Sequence, residues 1–569
     1  MPWTALWPLT FSGQGDYFTS SPAWDGRASG ALGAEPRFGV RTAAVPQHVA
    51  DQRGGALQAM FGDDFFDRIH VEPRVLNLGN VSSVQQRAVR VWNAYRARAL
   101  TLTDAALVAG EGIVLTAPGA TPLPFAPLSE RTWQIAVGTD GPPVIAATLS
   151  FQFAGFGAIP VVITGQRIVA WAFAPDWSRG VLERLAWKTD ILTSPTQVEQ
   201  RRGLRSAPRR SFEARMIVDG RERVLLDLAL FGWGGRTWAL PIWPDVQWLP
   251  SEHALGVRVI ACDPMHRDFR VGGLVQLRGK TAFEVEVAEV ETIGAASITL
   301  RHPTTKAWPL GTRLYPVRTA RLAEPPKVTR LSDQAAAVSA RFDIVESCDW
   351  PTVADAPMYR GHPVLAQRPD ETEALSNGWQ RALLTLDNEF GRPFVMDPAD
   401  WAAVSQAHHW RMHGRAERSA VRSWLYTLRG RQRAVWRPTH ADDLDLVANV
   451  AGTATALDVE NVGLARFADL RPGRRDLWIE LRNGQAFHRR ITAAVALDDE
   501  IERLTIDSAL GVDIRPQAVQ RISFLVLSRG DSDEAEIEHH TDSDGTADAS
   551  LVLRAVRDPD SDDSGPAPA

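Results

Sequence analysis

Apolar and polar residues alternate strictly between residues 66 and 167. Trp133, Ile135 and Val137 fall on one face before the turn signal TDGPP, and the alternation resumes from Ile145 to Phe153. A period of two predicts half-buried antiparallel strands. Because further short strands precede this pair at sandwich spacing, we predict an immunoglobulin-like β-sandwich over 66–167, without the disulfide found in many such domains.

Strand patterns prevail in the rest of the chain. The segments FEARMIVDG and RVLLDLALFGW, between 168 and 250, are both predicted to be strands. The clearest helix signal lies over 397–409, where Asp397 is a good N-cap, Pro398 suits the first helical position and Asp400 fits a capping box. We therefore expect a mainly β, multidomain protein with few short helices.

Two long segments, near 236–320 and 433–530, resemble each other. The matched residues keep a constant spacing and are Leu277, Arg278, Ala282 and Phe283 against Leu481, Arg482, Ala486 and Phe487. A tryptophan strand precedes each segment, WALPIWPD from Trp238 and WRPTHAD from Trp436. The match predicts two related units with small inserted β-barrel modules that pack as a pseudo-symmetric platform. The alternative is that the two segments share only generic strand alternation.

These patterns divide the chain into seven parts. In order, they are an extended N-terminal arm (1–65), the immunoglobulin-like sandwich (66–167), a first β-unit (168–250), a small β-barrel module (251–325), a second β-unit with a helix (326–438), a second small β-barrel module (439–535), and an acidic C-terminal strand with a flexible tail (536–569). For the first part, an irregular, loop-rich cap is an equally good interpretation.

Composition excludes several classes of protein. The 569 residues carry a formal net charge of -6 and no polybasic run, so sequence-specific binding of nucleic acid is not expected. The two cysteines, Cys262 and Cys348, form neither a disulfide framework nor a zinc pattern. The uncharged stretch 141–166 contains three prolines, which favour two strands and a turn over a membrane span.

The common catalytic motifs are missing from the sequence. It contains no Walker loop, no GxGxxG after a strand, no HExxH and no GxSxG. Three weaker groups have ordinary explanations as helix surface, acidic turn and buried thiol: His408, His409 and His413; Asp542, Asp544, Gly545 and Asp548; and Cys348 with His362. We therefore expect no catalytic residue, no cofactor and no metal.

Tryptophan is the most unusual part of the composition, with 20 residues against 5 tyrosines. Large rigid aromatic side chains dominate the energetics of protein interfaces. The candidate interface anchors are Trp171, Trp177, Trp233, Trp238, Trp243, Trp401 and Trp436. Core packing is the preferred explanation for most tryptophans and anchoring between subunits applies to a subset, while stacking on sugar rings is a third interpretation.

Two stretches resemble structural proteins of tailed bacteriophages. TSPTQVEQRRGLRSAPRRSFEARM, from Thr193, with the later RTWALPIWPD, resembles the opening of a tail-tip protein of phages with long, non-contractile tails. NGWQRALLTLDNEFGRPFVMDPADW, from Asn377, is similar to distal-tail and baseplate proteins. The matching residues of the second stretch are Phe390, Gly391, Arg392, Pro393, Phe394, Asp397, Pro398, Asp400 and Trp401. The resemblance covers about 170–530.

This resemblance implies a non-enzymatic building block of a phage tail tip or baseplate. Such a protein would assemble in the host cytoplasm as a ring or trimer around the tail axis and connect the tail tube, the hub and the receptor-binding fibres. The absence of a secretory-signal pattern at the start fits this expectation. Two alternatives stay open, a carbohydrate- or receptor-binding adhesin of the virion and a tail-associated glycan or peptidoglycan hydrolase.

Overall fold

The structure is a computed structural model that describes residues 65–557 except 82, 83, 139, 140, 143, 373, 469, 543 and 544. Residues 1–64 of the predicted arm and the tail beyond 557 lie outside the described residues. Strands dominate the described chain and helices are few, so the expected mainly β, multidomain fold is confirmed. In the same part of the chain, no helix has the length and apolar character needed to cross a membrane.

The first domain is a two-sheet sandwich with its core between the sheets. Its strands are β1 (Ile69–Glu72), β2 (Val75–Val81), β3 (Gln85–Asn93), β4 (Leu100–Val108), β5 (Ile113–Thr116), β6 (Leu123–Phe125), β7 (Glu130–Val137), β8 (Val144–Phe153) and β9 (Ile159–Arg167). The sheet orders are β1-β3-β7-β5 and β2-β9-β8-β4-β6. The predicted inward face is confirmed, since Trp133 is buried and packs edge-on against Phe151 at 5.0 Å.

A first β-unit with an inserted module follows the sandwich. Its elements are β10 (Val169–Ala170), β11 (Val181–Ala186), β12 (Thr189–Thr193), β13 (Glu199–Gly203), β14 (Arg209–Asp219), α1 (Gly220–Trp233), β15 (Trp238–Pro241), β16 (Gln247–Trp248), β17 (Val259–Ala261), β18 (Leu274–Arg278), β19 (Val285–Ile293), β20 (Ser297–Leu300), β21 (Arg313–Leu322), β22 (Lys327–Arg330) and β23 (Ala335–Ile344).

A second β-unit and module complete the described chain. Their elements are β24 (Met358–Tyr359), β25 (His362–Pro363), β26 (Asn377–Gln380), β27 (Leu384–Leu386), β28 (Phe394–Met396), β29 (Ala403–Met412), α2 (Arg415–Leu428), β30 (Val435–Pro438), β31 (Ala456–Glu460), α3 (Leu464–Phe467), β32 (Asp476–Leu481), β33 (Ala486–Ala496), β34 (Ile501–Ile506), β35 (Val519–Gly530), β36 (Glu534–His539) and β37 (Ala547–Ala555).

The two units have the same topology, over a longer span than the sequence match indicated. In the first unit β14 pairs with β23, β23 with β21 and β22, and β21 with β15. In the second, β29 pairs with β37, β37 with β35 and β36, and β35 with β30. A preceding segment runs parallel to the tryptophan strand in both, with Val169 opposite Trp238 and Val364 opposite Trp436. The duplicated unit therefore includes α1 in one copy and α2 in the other.

The modules are also alike, but their sheets stay open. The orders β17-β20-β19-β18-β21 and β31-β34-β33-β32-β35 match strand for strand, and among the described residues neither ladder closes into the barrel that the sequence predicted. Each module has its own apolar core, which includes the fully buried Ile298 in the first and Leu504 in the second. An open sheet with a small core therefore replaces a closed barrel.

The register of the duplication differs from the sequence match. Leu277 pairs with Glu286 and Leu314, and the residue with the corresponding partners in the second module is Ile479, not Leu481. The Ala-Phe match is wrong as well, since Ala282 and Phe283 lie in a turn whereas Ala486 and Phe487 begin β33. A shift of two residues keeps side chains on the same face, so it leaves the hydrophobic pattern unchanged and escapes detection.

The predicted boundary between 325 and 326 is misplaced. β22 and β23 pair with strands of the first unit, so the chain returns from the module to that unit before the second unit begins. The first module is thus an insertion within a sheet. The second is placed in the same way, since β35 pairs both with β32 of the module and with β30 of the unit.

Two predictions of secondary structure are wrong. The helix expected over 397–409 is a turn followed by β29: the Asp397 carboxylate accepts the backbone N–H of Asp400, as a cap would, but Asp400 has a φ of 44° and the chain leaves as a strand. The segment RVLLDLALFGW, expected to be a strand, lies in α1. Its continuous apolar run does not distinguish a strand from a helix.

Candidate assembly interface

Five of the seven candidate tryptophan anchors lie in the interior of the chain, which corrects their assignment as contacts with partners. The buried residues are Trp171, Trp238, Trp243, Trp401 and Trp436. Trp171, for example, packs edge-on against Trp238 at 5.1 Å and against Phe342 at 4.7 Å. Trp401 donates a hydrogen bond from its indole nitrogen to the Pro472 carbonyl at 2.8 Å. These rings therefore stabilise contacts within the chain.

The other two candidates, Trp177 and Trp233, are half-buried against the core of the first unit. Trp233 donates a hydrogen bond to the Thr237 carbonyl at 3.1 Å, and the Arg236 guanidinium lies 4.3 Å from the centre of its ring. Neither ring therefore offers a whole open face to a partner or to a sugar.

The two units join through strand pairing. β11 of the first unit pairs antiparallel with β36 of the second, with Leu182 opposite Glu538 and Leu185 opposite Ala535. This pairing, with the residues around it, is called the joint below. Leu185 is buried among residues of the second unit, and Trp187 packs edge-on against Tyr426 of α2 at 5.5 Å. Within the described residues, the joint links the two units and their modules into one sheet of 22 strands.

A buried ionic cluster lies inside the joint. Glu183 of β11 accepts hydrogen bonds from Arg210 at 2.6 Å, from His539 of β36 at 2.8 Å and from Arg422 of α2. All four side chains are buried. Because a buried charge is tolerated only when it is paired and hydrogen-bonded, the carboxylate ties three elements of the two units to one point.

The cluster extends toward the first module. Asp268, in the loop before β18, accepts hydrogen bonds from Arg318 and Arg210, and its own backbone N–H donates to Asp245 at 3.0 Å. Asp245 in turn binds Arg418 of α2. Alternating carboxylates and guanidiniums therefore run from the module through the joint to the helix of the second unit.

These environments fix the protonation states. Burial opposes the charge of Glu183, but Arg210 and Arg422 outweigh it and hold the pKa of the carboxyl well below its ordinary value. Burial lowers the pKa of His539 to about 4, against the opposing effect of its hydrogen bond to Glu183. Asp268, buried between arginines, also has a lowered pKa. A carboxylate saturated by arginines is a poor general acid or base at neutral pH, so the cluster is suited to locking the joint.

A hairpin strengthens the joint at its rim. Residues 187–208, which carry β12 and β13, form what is called the first hairpin. Glu199 receives two hydrogen bonds from the Arg529 guanidinium of the second unit, both at 2.7 Å. Thr189 donates from its backbone and hydroxyl to Asp533 at 2.7 and 2.8 Å. The first hairpin is thus held against the second unit by charged and polar contacts.

The second unit carries a hairpin at the same position in its topology, and its apolar side chains are exposed. The second hairpin (residues 381–402, with β27 and β28) has the same length as the first and again lies between a short strand and the long strand that precedes the helix. Its exposed apolar residues are Leu383, Leu384, Leu386, Phe390, Phe394, Val395 and Met396. Phe390, at the tip, is 97% exposed. Apolar patches of this kind mark sites of interaction.

The helix of the first unit has a second exposed apolar face. Val224, Leu228 and Phe231 of α1 follow one another at helical spacing and are all exposed, whereas Leu226 is buried against the sheet. A helix that is apolar on both faces is typical of a buried element. We therefore regard the second hairpin and this face of α1 as the candidate assembly interface.

The structure shows the surroundings of the histidines and of the cysteine among the weaker candidate groups. His408 and His409 lie on β29, where they point to opposite sides; His408 is buried and burial lowers its pKa to about 2. The His409–His413 spacing is therefore not a helical one. Cys348 is buried, which raises its pKa, and its thiol lies 3.6 Å from the Glu346 carbonyl.

The acidic turn near the C-terminus is shaped by ion pairs. Asp548 binds Arg411 at 3.0 Å, and the Asp542 carbonyl accepts a hydrogen bond from Arg415, while Asp544 lies outside the described residues. Across the part of the chain that the structure describes, no group of three or more His, Cys, Asp or Glu side chains is placed to hold a metal ion.

Comparison with known proteins gives no assignment. No family model and no curated protein matches the chain. One similar solved structure is the secreted serine protease VesC from Vibrio cholerae, with 7% identity and a TM-score of 0.15. The match covers 46% of this chain and 48% of that chain, so it spans about half the length of that protein. A likeness at this TM-score carries no argument.

Sequence reasoning missed most of the candidate interface. Trp379, Phe390 and Phe394 stood in the stretch that resembles distal-tail proteins, but their exposure was not predicted. The available signal was the cluster of large apolar residues around the turn sequence DNEFGRP, where a soluble hairpin normally carries polar side chains.

Proposed function

We propose that the protein is a structural component of a bacteriophage tail tip or baseplate. In this role copies of the chain assemble around the tail axis in the virion and connect the tail tube, the hub and the receptor-binding fibres. The tail-tip part of the proposal rests on the sequence resemblance, and the self-assembly part rests on the surfaces described above.

One observation carries the proposal. Two like units are joined edge to edge within the chain; the first hairpin is held against the second unit by hydrogen bonds and an ion pair, whereas no such contact covers the apolar side chains that the second hairpin exposes among the described residues. A protein that joins like units by strand pairing, and exposes an apolar hairpin next to an unpaired edge strand, is suited to assembly with further copies. Two buried carboxylates of the cluster, Glu183 and Asp268, lie in arginine pairs, which favours a scaffold over a hydrolase.

Immunogold electron microscopy of virions from a phage that carries this gene tests the proposal. An antibody against the sandwich, residues 66–167, is expected to label the tail tip alone. A phage with an early stop codon in the gene is the control, and it should give particles without finished tails and without label. Label that is absent from wild-type virions, or spread along the tube, would contradict the proposal.

The adhesin alternative predicts a different result. It requires glycan or receptor binding by the purified protein without other tail components. Five of the seven tryptophans considered for stacking are buried, so the structure offers no specific support for this alternative. Glycan-array binding combined with unlabelled tail tips would nevertheless favour it over the tail-tip assignment.

A further inference from the structure

Two strands of the large sheet, β22 and β26, are each paired on one side only. Within the described residues β22 pairs only with β23, and β26 pairs only with β29. Edge strands present rows of backbone donors and acceptors that can pair with another chain. Both edges are solvent-exposed, with Val328 of β22 at 56% and Trp379 of β26 at 64%.

These two edges are the counterparts of the two strands that form the joint. β11 precedes the first hairpin and pairs with β14, and β26 precedes the second hairpin and pairs with β29. β36 pairs with β37 as β22 pairs with β23. Each unit therefore has a strand of the β11 type and a strand of the β36 type, but only one of each type is used inside the chain.

Three residues buried in the joint can be compared with their counterparts at the unpaired edges and on α1. By strand register Trp379 corresponds to Leu185 and Val328 to Ile537, and by position in the helix Phe231 corresponds to Tyr426. Leu185, Ile537 and Tyr426 are buried in the joint, whereas Phe231 is 93% exposed and Trp379 and Val328 are also open to solvent. The exposed counterparts are large and apolar, as residues at buried positions usually are.

We propose that β26 of one copy pairs antiparallel with β22 of the next copy, in the register of β11 on β36. In that register Asn377 lies opposite Val328, because the corresponding residues, Glu183 and Ile537, are partners in the joint. Trp379 then covers the next copy near Phe231, as Leu185 and Trp187 cover α2. The second hairpin lies on the next copy's first unit as the first hairpin lies on the second unit.

The polar residues at this contact are compatible with it and differ from those of the joint. The positions of Glu183, Arg422 and His539 are occupied by Asn377, Asp227 and Arg330. An amide both donates and accepts, so Asn377 can bond to a carboxylate and a guanidinium together. No like charges are brought together at these three positions.

The contact is head to tail, since two different edges meet. A repeated contact of this kind closes into a ring when its rotation allows, and here the joints within and between chains would alternate around one continuous sheet. This inference deepens the proposed function and rests on it for the ring around the tail axis. It assigns the contact to a second copy of this chain.

Engineered disulfides in the full chain test the register. The pair Asn377→Cys with Val328→Cys places thiols opposite each other across the contact, at the separation that a disulfide needs. The natural thiols, Cys262 and Cys348, are buried and remain out of reach. After mild oxidation we expect a ladder of covalent oligomers on a non-reducing gel that collapses with reductant. The matched controls are each single variant alone and Asn377→Cys with Val144→Cys, since Val144 is exposed on the sandwich.

Sedimentation velocity of the full chain tests the contact without cysteines. We expect a discrete oligomer for the wild type, at least a tenfold loss of association for Trp379→Arg, and no change for the equally exposed Val144→Arg. An unchanged circular dichroism spectrum checks the fold of each variant.

Three outcomes would overturn the inference: a monomer without intermolecular disulfides, an oligomer that Trp379→Arg leaves intact, or protection of residues 1–64 from proteolysis in such a monomer, which would place that segment on the edges. The virion labelling above is a separate readout. A ring that passes these tests but is absent from tail tips would reject the tail-tip assignment and keep the edge pairing.

Discussion

His539 of the second unit donates a hydrogen bond to Glu183 of the first unit, with 2.8 Å between the imidazole nitrogen and the carboxylate oxygen. Both side chains are fully buried, and they belong to strands far apart in sequence. The neutral imidazole lies beside a carboxylate that two arginines keep charged. A buried hydrogen bond between a neutral imidazole and a charged carboxylate is therefore one of the contacts that attach the two units.

Acid should weaken the folded protein above the pH at which carboxyl groups titrate. Burial lowers the pKa of His539 to about 4, of His440 to about 3 and of His408 to about 2. The unfolded chain takes up protons on these residues below about pH 6.5 while the folded chain does not, so stability is complete above that pH and declines as the pH falls toward 4.

The expected slope is about 1.4 kcal/mol per pH unit for each of the three histidines. Urea unfolding followed by tryptophan fluorescence between pH 7 and pH 5 measures it. His539→Gln should reduce the slope of the free energy of unfolding against pH by the contribution of one histidine. A free energy of unfolding that does not vary over this range would contradict the buried, neutral assignment.

Removal of the central carboxylate should loosen the joint. Glu183→Gln leaves Arg210 and Arg422 buried without their full counter-charge, and breaking such a pair costs about 3 kcal/mol. Glu213→Gln is the matched control, because Glu213 is exposed and lies 3.7 Å from Arg184; its cost should stay below about 1 kcal/mol. Urea unfolding at pH 7 compares the two, and equal costs would show that the cluster is not stabilising.

Truncation of a core tryptophan should be far more costly than truncation of an exposed apolar residue. Trp171→Ala removes a fully buried ring that packs on Trp238 and Phe342, with an expected loss of about 3–5 kcal/mol. Leu310→Ala, at a residue that is 68% exposed, should change stability by less than about 0.5 kcal/mol. A loss of stability below about 1 kcal/mol for Trp171→Ala would contradict its assignment to the core.

The second hairpin should drive association without supporting the fold. Phe390→Ser with Phe394→Ser removes two exposed rings, which should weaken self-association about tenfold or more and leave the melting temperature nearly unchanged. Met265→Ser, at an exposed residue of the first module, is the control. Sedimentation velocity and thermal unfolding are the measurements. A large fall in melting temperature would assign the rings to internal packing.

The two thiols should be unreactive in the native state. Burial raises the pKa of Cys262 to about 11 and also raises that of Cys348, so neither forms an appreciable thiolate at pH 8. Titration with Ellman's reagent should release no more than a trace of chromophore from native protein and two equivalents from protein in urea. Rapid reaction of one equivalent in the native state would show that a cysteine is accessible.

The strand patterns of the sequence predicted the architecture well wherever one face of a strand is buried. The alternation around Trp133 and Phe151 directly reflects the two-sheet core. Helices were harder to predict because burial does not follow the usual pattern. In α2 Arg418 and Arg422 are buried beside Val421 and Leu425, so burial along this helix does not separate charged from apolar residues. The ion pairs that permit this burial connect residues far apart in sequence, and no local pattern reveals them.

The tryptophans that the sequence suggested as anchors are not the one that the structure exposes on an edge strand. A tryptophan can pack in a core or anchor a partner, and its presence in the sequence does not distinguish the two roles. Trp238 lies in a strand paired on both sides and is buried, whereas Trp379 lies on an edge and is exposed. The difference arises from strand order, which the sequence pattern does not determine.

The unlike edges of the large sheet have one more consequence. If β22 pairs only with β26 of the next copy, every copy joins its neighbour in the same orientation, and no copy is inverted. Such an assembly has polarity, with all sandwiches on equivalent sides and all modules on equivalent sides. A scaffold with two distinct faces can then bind one set of components above and another below, although it is built from a single kind of chain.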